Sequence, residues 1–293
     1  MATNYLTVDS PTSQVVPIPH NSEQATDLIV RRAQQLVKQL IEDRGHDKPP
    51  FLPAEYARLQ GIKKIIKADL GKVGAVLLRF YDGCIIKVNE NHHPVRQNFS
   101  CAHEIGHTLF SELKLEHYIR SIECRTFNPQ ARDKAREKAK ERLCDVAATE
   151  LLMPESVFRK YLSGFGISVH SIELLANIFR VSIRAAAWRI AEVSTEPCIA
   201  LLWQLDKRTK SKALRLTWHV GPGRKSRGKT NYAPAYTLIG PTSTLYKAYQ
   251  DDSPVKSAKL FKLDNTAKRL PMESKGFGRS ETRRVISLAF PDR

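Results

Sequence analysis

Residues 101–110, Cys-Ala-His-Glu-Ile-Gly-His-Thr-Leu-Phe, constrain this chain more than any other stretch. His103, Glu104 and His107 form the pattern H-E-x-x-H. Residues four apart share one face of a helix, so both imidazoles can converge on a single metal ion. Glu104 lies near the same edge, where a carboxylate can reach a metal-bound water without being a ligand. Ala102, Ile105, Leu109 and Phe110 suit a buried helix. Gly in mid-helix costs about 0.5–1 kcal/mol relative to Ala, so Gly106 predicts the close approach of another backbone. The bare five-residue pattern also occurs by chance, on ordinary core or surface helices. An apolar setting and a third ligand downstream favour the metal here.

The third ligand is sought in residues 141–154. This stretch follows a charged run, 132–142, and turns apolar at Leu143. Glu141 and Asp145 are spaced i,i+4 and share a helix face. Catalytic zinc takes three protein ligands, and two His with one Glu is an established set. A ligating His passes its other ring N–H to an acceptor, which fixes the tautomer. Glu141 as ligand and Asp145 as that acceptor meet both needs. Glu150, further along, is the competing ligand and reads better as a surface carboxylate at the helix end. The spacing H-E-x-x-H-x-x-G-x-x-H is excluded by Phe110 and Leu113. His117 could be recruited from a loop, though nothing requires it. A His₂Glu set accepts Zn²⁺, and also Mn²⁺ or another divalent ion.

The order A-H-E-I-G-H followed by E-x-x-C-D-x-x-A-x-E-L-L-M-P resembles the ImmA/IrrE family of metallo-endopeptidases. Pro49-Pro50, residues 74–77 and 85–89, and Arg96 with Phe99 fit the same pattern upstream. Downstream, Leu174-Leu175-Ala176, Phe179, Val181-Ser182 and Arg189 also match, so the resemblance covers roughly residues 25–195. It implies a zinc-type site with ligands His103, His107 and Glu141, and Glu104 as general base. It further implies a protein substrate, a helix-turn-helix repressor whose cleavage derepresses stress-response or mobile-element genes. Asp145 departs from the family, where many members carry Asn; an acceptor oxygen survives and negative charge is added.

Beyond these stretches, 293 residues can bury one substantial core and a second, smaller one. No run of about 18 apolar residues exists, so no membrane span is expected. The N-terminus lacks the layout of a secretion signal, and five scattered cysteines suggest reduced thiols in a cytoplasmic protein. Cys101 and Cys144 read as small buried thiols on helix faces. The net charge is +17, and residues 205–293 hold 20 Lys/Arg against 7 Asp/Glu. This basic C-terminal region is either a solvated surface or a nucleic-acid contact.

The expected organisation is a flexible leader over 1–20, a metallopeptidase domain over 21–197 and a basic β-rich accessory domain over 198–293. The fold class is α+β: a zincin-like helical core with a small antiparallel sheet, a helix-turn-helix-like segment and the C-terminal β domain. A helix is predicted over 21–42 and a short one over 53–60, with strands over 62–67, 74–80 and 84–88. An edge strand of that sheet could take an extended peptide by β-addition. The run 130–140 has mixed charge at helical spacing and reads as the solvated helix that carries Glu141.

Residues 155–195 contain the helix-turn-helix-like helices. Their second helix is largely apolar, with Arg184 and Arg189 the residues that could reach phosphate, so packing against the core is expected. Residues 199–203 and 213–218 read as paired strands, and 236–239, 260–263 and 285–289 as short ones. The alternative to a peptidase is a DNA-associated regulatory protein with a structural or vestigial metal site.

Overall fold

A computed structural model describes residues 21–112, 115, 119, 129–208, 212–223, 232–234, 238–263, 266–279 and 282–291. The expected leader, His117 and most of the basic loop at 221–229 lie outside the described residues. Among the described residues no helix is long and apolar enough to cross a membrane.

The fold is α+β. Helix α1 (Ser22–Arg44) starts at Asn21, whose side chain accepts from the Gln24 N–H, and stops at Gly45, whose φ of 65° suits glycine. Its apolar stripe, Ile29, Ala33, Leu36 and Leu40, is fully buried. Helix α2 (Pro53–Leu59) then leads into β1 (Ile62–Ala68), β2 (Ala75–Phe80) and β3 (Gly83–Asn89).

These three strands form the expected small sheet, but it is mixed rather than antiparallel. Its order is β1-β3-β2, with β2–β3 antiparallel and β1–β3 parallel. The tight turn before Gly83 folds β2 back on β3. The outer side of β3 is then taken by β1, which reaches β2 through a crossing connection and so runs parallel to β3.

Helix α3 (Pro94–Glu112) follows, with Pro94 at its first position, where a missing N–H costs nothing. Helix α4 (Pro129–Leu152) carries the charged run in its first half. Its second half buries Leu143, Cys144, Val146, Ala147, Ala148, Leu151 and Leu152. A Cβ on Gly106 would stand 3.1 Å from the Cys144 Cα and 3.2 Å from the Ala147 Cβ, so glycine sets how closely α3 meets α4. Helices α5 (Glu155–Phe165), α6 (Val169–Phe179) and α7 (Ile183–Val193) are the helix-turn-helix-like segment. They pack on the core as expected: Ala186, Ala187, Ile190 and Val193 of α7 are buried.

The C-terminal part is a seven-stranded sheet, ordered β6-β8-β9-β10-β4-β5-β7, with every pairing antiparallel. Its strands are β4 (Ile199–Leu205), β5 (Leu214–Val220), β6 (Tyr232–Pro234), β7 (Leu238–Ile239), β8 (Val255–Leu263), β9 (Thr266–Phe277) and β10 (Arg284–Ala289). Helix α8 (Thr244–Gln250) lies against one face. Neither β9 nor α8 is expected from the sequence pattern, and β8 is longer than its predicted stub.

The interior strand β4, next to the central β10, is buried on both sides, which explains its unbroken apolar run. Ala200 and Leu202 join the core shared with α1–α7, whereas Ile199, Leu201 and Trp203 join a second core under α8. The first core therefore crosses the boundary expected at 197/198. Two polar contacts also tie the sheet to α6: Glu273 accepts from the Val169 N–H at 3.1 Å, and Lys275 donates to Glu173 at 2.6 Å.

Candidate metal centre

His103, Glu104 and His107 project from α3, and Glu141, Cys144 and Asp145 from the facing stretch of α4. Because Gly106 lets the helices meet closely, side chains from both reach one point. Asp145 accepts from His103 Nδ1 at 2.9 Å. The other ring nitrogen, Nε2, faces Glu141 Oε2 at 3.0 Å, and His107 Nε2 faces Glu141 Oε1 at 3.4 Å. All five residues of the sequence-derived set thus lie in one cluster or at its edge. Glu104 accepts at Oε2 from the Leu77 N–H of β2 at 2.9 Å, so the sheet edge holds its carboxylate beside the histidines. On the same strand, Arg79 donates to the His107 carbonyl at 3.1 Å.

The electrostatics separate the two imidazoles. Burial disfavours the charged form of His103, but the Asp145 hydrogen bond and the charges of Asp145, Glu141 and Glu104 outweigh it. Its pKa lies above the ordinary histidine value. His107 is pushed down to about 4 by burial, then by the charges of His103 and Lys140. Glu104 is raised, chiefly by burial, against the opposing pull of His103 and the Leu77 N–H.

This donor set fits a divalent cation. With its proton on Nδ1, neutral His103 points a lone pair at Glu141, and neutral His107 can point one at the same carboxylate. Lone pairs facing a carboxylate repel unless a proton or a cation lies between them.

A second choice of third donor is present. His103, His107 and Cys144 offer ligand atoms within 4.8 Å of one another. Cys144 is fully buried at the α3–α4 contact, and burial pushes its thiol well above the usual range. A ligating sulfur is a thiolate, and a bound cation itself deprotonates a coordinating thiol, so Cys144 stands beside Glu141 as a candidate third donor. Cys101 is also buried and pushed up to about 12, in keeping with the packing role expected of both thiols.

Two readings of single residues are corrected. Glu150 is not a surface carboxylate: it is 1% exposed and accepts from Arg189 at 2.7 Å, from Gln34 at 3.2 Å and from the Glu155 N–H at 2.9 Å. Arg189 is equally buried, also donating to Glu192 at 2.8 Å and to the Met153 carbonyl at 3.0 Å, so it cannot reach phosphate. Each residue's burial depends on the other, 39 residues away, and α7 brings them together.

Comparison with known proteins agrees with this geometry. Residues 60–191 match the family described as Peptidase_M78, the IrrE N-terminal-like domain. The chain is 32% identical over 129 residues to the radiation response metalloprotease IrrE of Deinococcus radiodurans, covering 44% of this chain and 37% of that protein. With the protein of the same description from Deinococcus deserti the identity is 29% over 124 residues, covering 42% of each. The match thus spans about two-fifths of the length of those relatives. A solved structure described as a Mycobacterium tuberculosis transcriptional regulator superposes with a TM-score of 0.57 at 14% identity, covering 93% of this chain and 81% of that one. That likeness is one of fold, and it extends over the C-terminal sheet.

Proposed function

We propose, from the match of residues 60–191 to the IrrE N-terminal-like family of metallopeptidases, that this chain is a zinc-dependent endopeptidase acting on a partner protein. The partner we assign is a helix-turn-helix transcriptional repressor, whose cleavage would release a set of stress-response or mobile-element genes. The observation that carries the reading is the approach of both imidazole Nε2 atoms to the Glu141 carboxylate, at 3.0 and 3.4 Å.

Zn²⁺, or Mn²⁺ in its place, would be held by His103, His107 and Glu141, and when bound it supplies a Lewis acid that lowers the pKa of water from about 15.7 toward about 7. Asp145 holds the His103 proton at Nδ1 and so presents Nε2 as the donor atom. The Leu77 N–H fixes Glu104 at the edge of α3. A carboxylate whose pKa is raised by burial is a better base near neutral pH. Glu104 takes a proton from the attacking water and returns it to the leaving amine. The outer edge of β2 faces the same site, so an extended peptide added along that edge would pass over Glu104.

The test is Glu104→Gln beside the wild type, assayed for metal by elemental analysis and for cleavage of purified helix-turn-helix repressors. The variant should keep about one equivalent of metal and lose roughly 10²–10⁴-fold in rate. Undiminished cleavage would remove Glu104 from this role. Cleavage that persists after chelation would overturn the metallopeptidase reading itself.

A further inference from the structure

Two cavities adjoin the histidine–carboxylate cluster on the Asp145 side. Asp145 lines a cavity of about 360 Å³ floored by Phe99 and Trp188, with Arg142 and Arg184 at its sides. A second cavity, of about 680 Å³, lies between the start of α3, the α6–α7 turn and the C-terminal sheet. Arg96 and Arg284 stand on its walls, over Phe277 and Ile286. Phe99, Ser182, Arg184 and Ala185 line both cavities, so together they make one groove running from Asp145 to the sheet.

Its charge is one-sided. Arg96, Arg184 and Arg284 are exposed and Arg142 is half-buried. None of the four is in an ion pair among the described residues. The carboxylate among the lining residues is Asp145, which is engaged by His103. Guanidinium groups match carboxylates in geometry, and a concave surface of one sign concentrates its field. The floor, in contrast, is aromatic and aliphatic. A long groove with an apolar floor and basic rims suits an extended chain, whose alternate side chains point down and up.

We propose that this groove binds a segment of the protein substrate in which acidic residues alternate with apolar ones, lying to one side of the scissile bond. That the bound segment is a substrate rests on the peptidase reading; the binding itself needs neither metal nor hydrolysis.

The experiment is fluorescence anisotropy with the full chain carrying Glu104→Gln and a labelled peptide of alternating leucine and glutamate. The same peptide with glutamine for glutamate, and a single-stranded oligonucleotide, are measured beside it. The acidic peptide should bind roughly tenfold more tightly than the glutamine version, with an affinity that falls as salt rises. Arg184→Glu with Arg284→Glu should weaken it by roughly tenfold or more. Lys38→Glu with Lys247→Glu makes the same charge change at exposed positions outside the groove and should leave binding unchanged.

Equal binding of the two peptides would overturn the proposal, as would an equal loss in the lysine control. Oligonucleotide binding that is tighter than the peptide's and lost in the arginine variant would also overturn it and give the groove to nucleic acid. Absence of metal or of repressor cleavage in the wild type would end the peptidase reading while leaving the anisotropy result intact.

Discussion

Helix α4 carries carboxylates in two settings. Glu141 and Asp145 are 44% and 57% exposed and meet the histidines of α3, whereas Glu150 is 1% exposed and meets Arg189. At Glu150 the chain supplies its own cation: Arg189 bridges Glu150 and Glu192, while Gln34 and the Glu155 N–H donate to the same carboxylate. At the histidines, Glu104, Glu141 and Asp145 converge with no Lys or Arg hydrogen-bonded to them among the described residues. One cluster holds a built-in cation and is sealed; the other is half-open and suited to a cation from outside. A buried ion pair costs several kcal/mol in desolvation on each side, so closure is expected where the partner is built in. An exchangeable ion needs the opposite arrangement.

The contrast is broken most severely by Arg189→Leu. It removes the cation that Glu150 and Glu192 share and should cost about 3–5 kcal/mol of stability, read by denaturant unfolding. The folded fraction should still bind metal. A loss below about 1 kcal/mol would mean that Glu150 and Glu192 are not held by that guanidinium.

Glu141→Ala should behave the other way. It removes a partly exposed carboxylate from a crowd of like charge, so the metal-free protein keeps its stability while metal content falls from about one equivalent toward none. Cys144→Ser, made beside it, should retain the ion. The reverse pattern would make sulfur the third donor in place of the carboxylate.

Asp145→Ala should have a smaller effect, since Asp145 touches His103 and would act on an ion only through that ring. About 10–100-fold in metal affinity is expected from losing such a partner. Asp145→Asn keeps an acceptor oxygen and should lose far less. Equal losses in the two would show that the negative charge matters more than the hydrogen bond to Nδ1.

The same two clusters show what could be read from the residues alone. The convergence of His103, His107, Glu141 and Asp145 is legible because each pair repeats at helical spacing within a few turns. Glu150 is misread because its partner lies on α7, and no local pattern announces a pairing across 39 residues. The misreading of Arg189 follows from the same fact. Strand β9 escapes notice for another reason: its twelve residues include Pro271, Glu273, Lys275 and Gly276, which mask any alternation. It is held by β8 and β10 on either side rather than by its own propensity. In the first sheet the strands are legible and the pairing is not, because β1–β3 adjacency depends on how the chain crosses rather than on either strand's residues.

The smallest effect expected is also the one that links the histidine–carboxylate cluster to the packing beneath it. Gly106→Ala gains about 0.5–1 kcal/mol in helix propensity. Against this, the new Cβ meets the Cys144 Cα at 3.1 Å and its carbonyl oxygen at 3.2 Å, both backbone atoms that yield only if α3 and α4 separate by a few tenths of an ångström. Overpacking of this kind costs about 1–3 kcal/mol, so a net loss near 1 kcal/mol is expected in thermal unfolding. The separation carries His103 and His107 away from Glu141, and metal affinity should fall with it. A more stable Gly106→Ala protein with unchanged affinity would show slack between the helices and would remove close packing as the reason these donors meet.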